Sequence, residues 1–193
     1  AGDAKVSWPL PVYEIQDVLD EITQGRPAEY AAIVETYDPE QLEPHALSEM
    51  AHLFAESERP HDAQRVGRIF VDRFGDSHSE TAGRINRLIA LCALELGNEG
   101  IDDAIAAFQA SIVVATPAAE RIDSIAQLIW LLGVKRGQPE TTEALLKQIE
   151  AIAQSSVVDD QVRAAYRRAI NAAGDTAIWH GDRTTARGFY KRV

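Results

Sequence analysis

The chain has 193 residues, 46% hydrophobic and 25% charged, with a formal net charge of −11. That length can bury a sizeable core, while the acidic surplus argues against nucleic acid as the main ligand, because phosphates are repelled on average. No apolar run reaches the roughly 18 residues that span a bilayer, and the apolar cluster 88–94 is flanked directly by Arg87 and Glu95, so membrane insertion is not expected.

The chain begins with residues that include Trp8-Pro9-Leu10-Pro11. Two prolines that close exclude a helix and predict an extended lead-in. From Tyr13, the spacing of Ile15, Val18, Leu19 and Ile22 predicts a first helix that stops near Gly25. A second short helix is expected over 28–37, ending at Asp38-Pro39. Four hairpins of helices follow. The first opens at Pro44 with Leu47, Met50, Ala51 and Phe54 on one face, turns at Glu58-Arg59-Pro60, and returns through Ala63, Val66, Ile69, Phe70 and Phe74. The second runs over 79–96, turns at Gly97-Asn98-Glu99-Gly100, and returns through Ala104, Ile105, Phe108 and Ile112. The third begins after Pro117, carries Ile122, Ile125, Leu128, Ile129 and Leu132, turns at Gly137-Gln138-Pro139, and returns through Ala144, Leu145, Ile149 and Ile152. The fourth starts near Val157, continues through Val162, Tyr166, Ile170 and Ala173, turns at His180-Gly181-Asp182, and ends in a short helix through Ala186, Phe189 and Tyr190. No strand is expected, since strict alternation nowhere persists over five or six residues. Asp62, Asp102, Thr141 or Thr142, and Asp182 stand where they can cap the second helix of each hairpin.

Ala63, Ala104, Ala144 and Ala186 recur at spacings of 41, 40 and 42 residues. A period near 40 in an all-helical chain marks stacked supersecondary units, each needing neighbours to bury its apolar faces. Alanine at the recurring position is expected to let the two helices of a hairpin approach closely. Leu47-x-x-Met50-Ala51-x-x-Phe54 with Ala63, Leu88-x-x-Leu91-Cys92 with Ala104-x-x-x-Phe108, and Ile170-x-x-Ala173-Gly174 with Gly181, Ala186 and Tyr190 resemble tetratricopeptide repeats. The third hairpin departs, with Gln148 where an aromatic is usual and Lys135 where a large apolar residue is expected; Gly67 replaces the aromatic in the first. The period also departs from the family's 34 residues, which leaves HEAT-type repeats as a structural alternative. The resemblance implies an all-α, right-handed superhelical stack of antiparallel helix hairpins over 44–193, with 1–43 as lead-in and N-terminal capping helices.

In this family the first helices of successive hairpins line a concave groove that binds peptides or partner helices. Carried over by position, the groove holds His45, Ser48 and His52 on the first hairpin, and Asn86 and Ile89 on the second. It holds Ile129 and Arg136 on the third, and Arg168, Asn171 and Trp179 on the fourth. Of these, His45, His52, Asn86, Arg136, Arg168 and Asn171 are the candidate partner-binding residues, amide and guanidinium groups being suited to peptide backbone and carboxylates.

Catalytic chemistry finds no support. His45-x-x-x-Glu49-x-x-His52 brings possible metal ligands onto one helix, but it is not HExxH and no third ligand is specified. There is no strand-to-helix phosphate loop and no nucleophile elbow. The single cysteine, Cys92, lies in an apolar run and reads as a small buried hydrophobe rather than a reactive thiol. Neither cofactor nor metal is expected.

Charge is distributed unevenly: residues 1–60 carry a net −10 and residues 161–193 a net +5. An acidic front and a basic tail allow salt-sensitive self-association. The leading expectation is a non-catalytic scaffold binding a protein or peptide. The alternatives are a helical accessory domain of an enzyme, as superhelical domains beside cell-wall hydrolases are, and a self-assembling module. The chain starts at Ala1 and stops at Val193 within a helical pattern, so it is expected to be part of a longer protein. Four lysines against fifteen arginines fit a bacterial genome without separating a cytoplasmic from an exported location.

Overall fold

The structure, a computed structural model, describes residues 27–113, 115–157 and 159–192. The expected lead-in around Trp8 and the helix from Tyr13 lie outside the described residues. Helix α1 (Pro27–Val34) and a 3-10 turn (Pro39–Gln41) precede four helix pairs. These are α2 (Pro44–Glu56) with α3 (Pro60–Phe74), and α4 (Ser79–Glu95) with α5 (Ile101–Ser111). They continue with α6 (Ala118–Trp130) and α7 (Thr141–Ser155), then α8 (Asp160–Trp179) and α9 (Arg183–Tyr190). Among the described residues there is no strand, and no helix is long and apolar enough to cross a membrane. The chain is an all-α stack of antiparallel hairpins.

Local chemistry sets the helix ends. Pro44 and Pro60 stand in the first turns of α2 and α3, where a missing amide costs no hydrogen bond. Of the expected caps, Asp182 makes one, accepting from the Thr185 amide at 2.9 Å. The others make different contacts or, for the Thr142 hydroxyl, none. Asp62 pairs with Arg59 at 2.7 Å, Asp102 pairs with Arg136, and the Thr141 hydroxyl donates to the Gln138 carbonyl at 2.8 Å. Helix α8 starts at Asp160, its cap being Asp159, which accepts from the Val162 amide at 2.8 Å.

Burial divides into two apolar cores with α6 between them. The first gathers Leu47, Phe54, Phe70, Ile85 and Phe108 and takes Leu128 and Leu131 from the end of α6. The second gathers Ile122, Ile125 and Ile129 of α6 with Ile149 and Ile170. Each such side chain, wholly out of water, contributes about 1.5–3 kcal/mol. Past Trp130, α6 widens into a π turn, Leu131–Lys135, where Gly133 faces Thr176 of α8 so closely that a Cβ would lie 2.3 Å from the threonine methyl.

The recurring alanine corrects one expectation. Ala63, Ala104 and Ala186 are buried, but Ala144 is exposed. Helix α3 buries Ala63, Val66, Gly67 and Phe70, and α5 buries Ala104, Ala107, Phe108 and Ser111. Helix α7 buries Thr142, Leu146 and Ile149 with the same spacing. Thr142 therefore stands where the other second helices carry alanine. The even spacing of alanines hid a shift in helix phase, since two residues rotate a helix face by more than half a turn. Its hydroxyl is buried with no hydrogen-bond partner, a condition costing about 1–3 kcal/mol.

Two expectations follow for stability. Thr142→Ala should raise stability by about 1 kcal/mol in urea denaturation, because it removes an orphaned hydroxyl; a lower midpoint would mean the hydroxyl is satisfied. A Cβ on Gly100 would lie 1.8 Å from the Ala93 carbonyl oxygen, whereas one on Gly188 of α9 meets nothing within 4 Å. Gly100→Ala should therefore cost about 1–3 kcal/mol, and Gly188→Ala should add about 0.5–1 kcal/mol.

Candidate functional site

The faces of the first helices that are not buried form a repeated stripe. On α2 it consists of His45, Glu49, His52 and Glu56; on α4 of Arg84, Leu88, Leu91 and Glu95. On α6 it is Glu120, Asp123, Gln127 and Trp130, and on α8 Arg168, Asn171, Asp175 and Trp179. Spacings of three and four keep each set on one side of its helix, opposite the core residues.

Ion pairs join three of these stripes side by side. Arg84 of α4 reaches Glu120 of α6 at 3.3 Å while also holding Glu80 at 3.1 Å. Asp123 of α6 receives two hydrogen bonds from Arg168 of α8, at 2.8 and 2.9 Å. This paired geometry raises the Arg168 pKa, chiefly through the hydrogen bonds to Asp123. A bidentate guanidinium–carboxylate contact fixes orientation as well as charge, although a partly exposed pair contributes only about 0.2–1 kcal/mol.

Several expected residues fall on this surface. His45 and His52 lie on the α2 stripe, with His45 Nδ1 4.0 Å from Glu49. Asn171 is exposed beside Arg168, and Trp179 is 70% exposed. Others fall elsewhere. Asn86 is half-buried two residues from Arg84, on the side of α4 that carries Ala82, Ile89 and Ala93. Arg136 follows the π turn and pairs with Asp102 of α5, away from the stripe. Ser48, Ile89 and Ile129 are buried in the stack, because the core phase of each helix differs by a residue from the carried-over pattern.

The stripe also holds residues that pattern reasoning missed. Leu91 is 37% exposed. Trp130 carries the Lys135 ammonium 5.0 Å from its ring centroid. The side-chain amides of Gln127 and Asn171 make no hydrogen bond within the described residues. Each could be found in sequence as the positions three and four apart that lie out of phase with the apolar face. The surface thus combines partly exposed apolar groups, uncommitted amides and arginines already held by acids. Among the described residues no three His, Cys, Asp or Glu side chains come together to hold a metal ion.

Comparison with known proteins fits this architecture. The fold is similar to the crystal structure of nearly identical TPR-like repeats from a Podosopora anserina protein designated a kinesin light chain. The TM-score is 0.66 at 14% identity, covering 93% of this chain and 92% of that one. No family model and no curated protein matches the sequence. The chain has a tetratricopeptide-like repeat fold.

Cys92 takes no part in the site. It is 2% exposed, and burial, assisted by Glu95, pushes its pKa up to about 11. The fold favours the neutral thiol, so this contribution is complete below the ordinary thiol range and disappears as pH rises towards about 11. Native protein at pH 8 should react with a thiol reagent orders of magnitude more slowly than unfolded protein. Fast labelling without denaturant would show that the helix opens around it.

Proposed function

We propose that this protein is a non-catalytic scaffold that binds a protein or peptide along its first helices, the stripe forming the concave groove of the stack. The observation that carries this reading is the continuity of that stripe across α4, α6 and α8, secured by the Arg84–Glu120 and Asp123–Arg168 pairs. An extended partner meets three helices in register. Gln127 and Asn171 serve its backbone amides and carbonyls, and Leu91 and Trp130 receive its apolar side chains. Arg168 binds a partner carboxylate only by exchanging it for Asp123, which makes it a selector and not a strong anchor. His45 and His52 extend the same surface onto the first hairpin. Asn86, on the side of α4 that carries Ala82, Ile89 and Ala93, and Arg136, paired with Asp102 of α5, lie off the stripe and are given no role in this reading. In this reading 44–193 forms the binding unit and 1–43 caps it. The TPR-like repeats of the similar structure support the class of function through their fold alone.

The test is capture of partners from the source cell's lysate by wild type, by a Leu91→Asp/Asn171→Ala variant, and by Arg65→Ala on α3 as a control. The stripe variant should lose at least tenfold in captured partner, with the control unchanged. Equal capture by all three would place recognition elsewhere on the molecule.

A further inference from the structure

The first-helix surface leaves unused a cleft of about 630 Å³ between α7 and the α8–α9 hairpin. Its volume lies in the range of pockets that hold a ligand or a few side chains. Leu146 of α7, Ala173 and Ala177 of α8 and Phe189 of α9 give it apolar walls. It lies where the third hairpin departs from the repeat, after the π turn and beside the helix that turns Ala144 to solvent.

Its charges are unequal. The two cations of the lining are already neutralised, Lys147 by Glu143 at 3.0 Å and Arg192 by Glu150 at 2.6 Å. Two carboxylates remain without a lysine or arginine among the described residues, Glu140 before α7 and Asp182 before α9. Asp182 accepts from the Thr185 amide and hydroxyl, at 2.9 and 2.6 Å, and from no lysine or arginine among the described residues. These bonds hold its pKa below the usual range, and a carboxylate has further lone pairs to offer. His180 donates Nε2–H to the Gly133 carbonyl at 2.7 Å, so the neutral ring presents Nδ1 as another acceptor. A second, independent observation comes from Thr142. It lines the cleft, is 6% exposed, and its hydroxyl oxygen lacks a hydrogen-bond partner. Alanine serves the equivalent packing position in the other hairpins, so packing does not account for the hydroxyl.

We propose that this cleft binds a short segment of a partner protein carrying a lysine or arginine beside a large apolar side chain. The cation sits among Glu140, Asp182 and His180 Nδ1, where no lysine or arginine of the lining is left unpaired. The neighbouring apolar side chain lies against Leu146, Ala177 and Phe189. From Thr142 to Glu150, α7 runs roughly 12 Å, at about 1.5 Å per residue, which an extended segment of about four residues spans. This site is on the second-helix side and does not rest on the groove reading.

The test is selection of a displayed random heptapeptide library against the full chain. Enriched peptides should place lysine or arginine next to leucine, methionine or phenylalanine. A labelled representative should lose at least tenfold in affinity for Glu140→Lys, which changes an exposed residue, and for Ala177→Trp, which fills the cleft. It should bind the Leu91→Asp variant as tightly as wild type, so that failure here is separate from failure of the first-helix surface. Asp182→Asn, which preserves the helix cap, should weaken it severalfold. Enrichment of acidic peptides, equal binding to Glu140→Lys, or no enrichment would each overturn the proposal. Competition by a peptide copying residues 183–192 would identify a second copy of the chain as the source of the segment.

Discussion

The stack depends on α6 being packed on both sides. A single helical hairpin cannot bury both of its apolar faces, and here α6 supplies Leu128 and Leu131 to one core while Ile122, Ile125 and Ile129 fill another. Neither core closes without it. The same helix then delivers the π turn, whose Gly133 admits Thr176 of α8 and whose carbonyl anchors His180. Position, pitch and end of this one element therefore set where the fourth hairpin lies.

That arrangement determines which surface residues can act together. Helices α6 and α8 pack directly on each other, and ion pairs from α4 to α6 and from α6 to α8 join the unburied residues of all three. The energy of each pair is small because water and salt screen it. Their consequence for the proposed groove is larger. In that reading, an arginine already satisfied by a carboxylate would offer a ligand only the difference between two similar contacts, leaving specificity to the amides and apolar groups beside it.

The third hairpin shows how a repeat can be modified without losing the fold. Thr142 takes a position that favours a small apolar residue, and the buried hydroxyl lowers stability locally. Near it, α7 and α9 stand apart far enough to leave a cleft, while the Glu150–Arg192 pair bridges the two sides. Regular hairpins are stabilised by close helix contact; an irregular one exchanges some of that contact for accessible surface.

Much of this was legible in the chain. Periodicity of three and four located the described helices, the proline at 44 marked a start, and the Gly/Ala pattern implied the class of fold, because these depend on local geometry and on which face is apolar. The acid–base imbalance along the chain was legible as well. Tertiary packing decided the rest. It buried Ser48 and Ile89, turned Ala144 outward in favour of Thr142, and gave Asp62 and Asp102 to arginines instead of helix amides. A helix's sequence determines which residues share a face. Which face meets a neighbour, and which charge finds which partner, depends on a rotation of a residue or two that only the packed neighbours select.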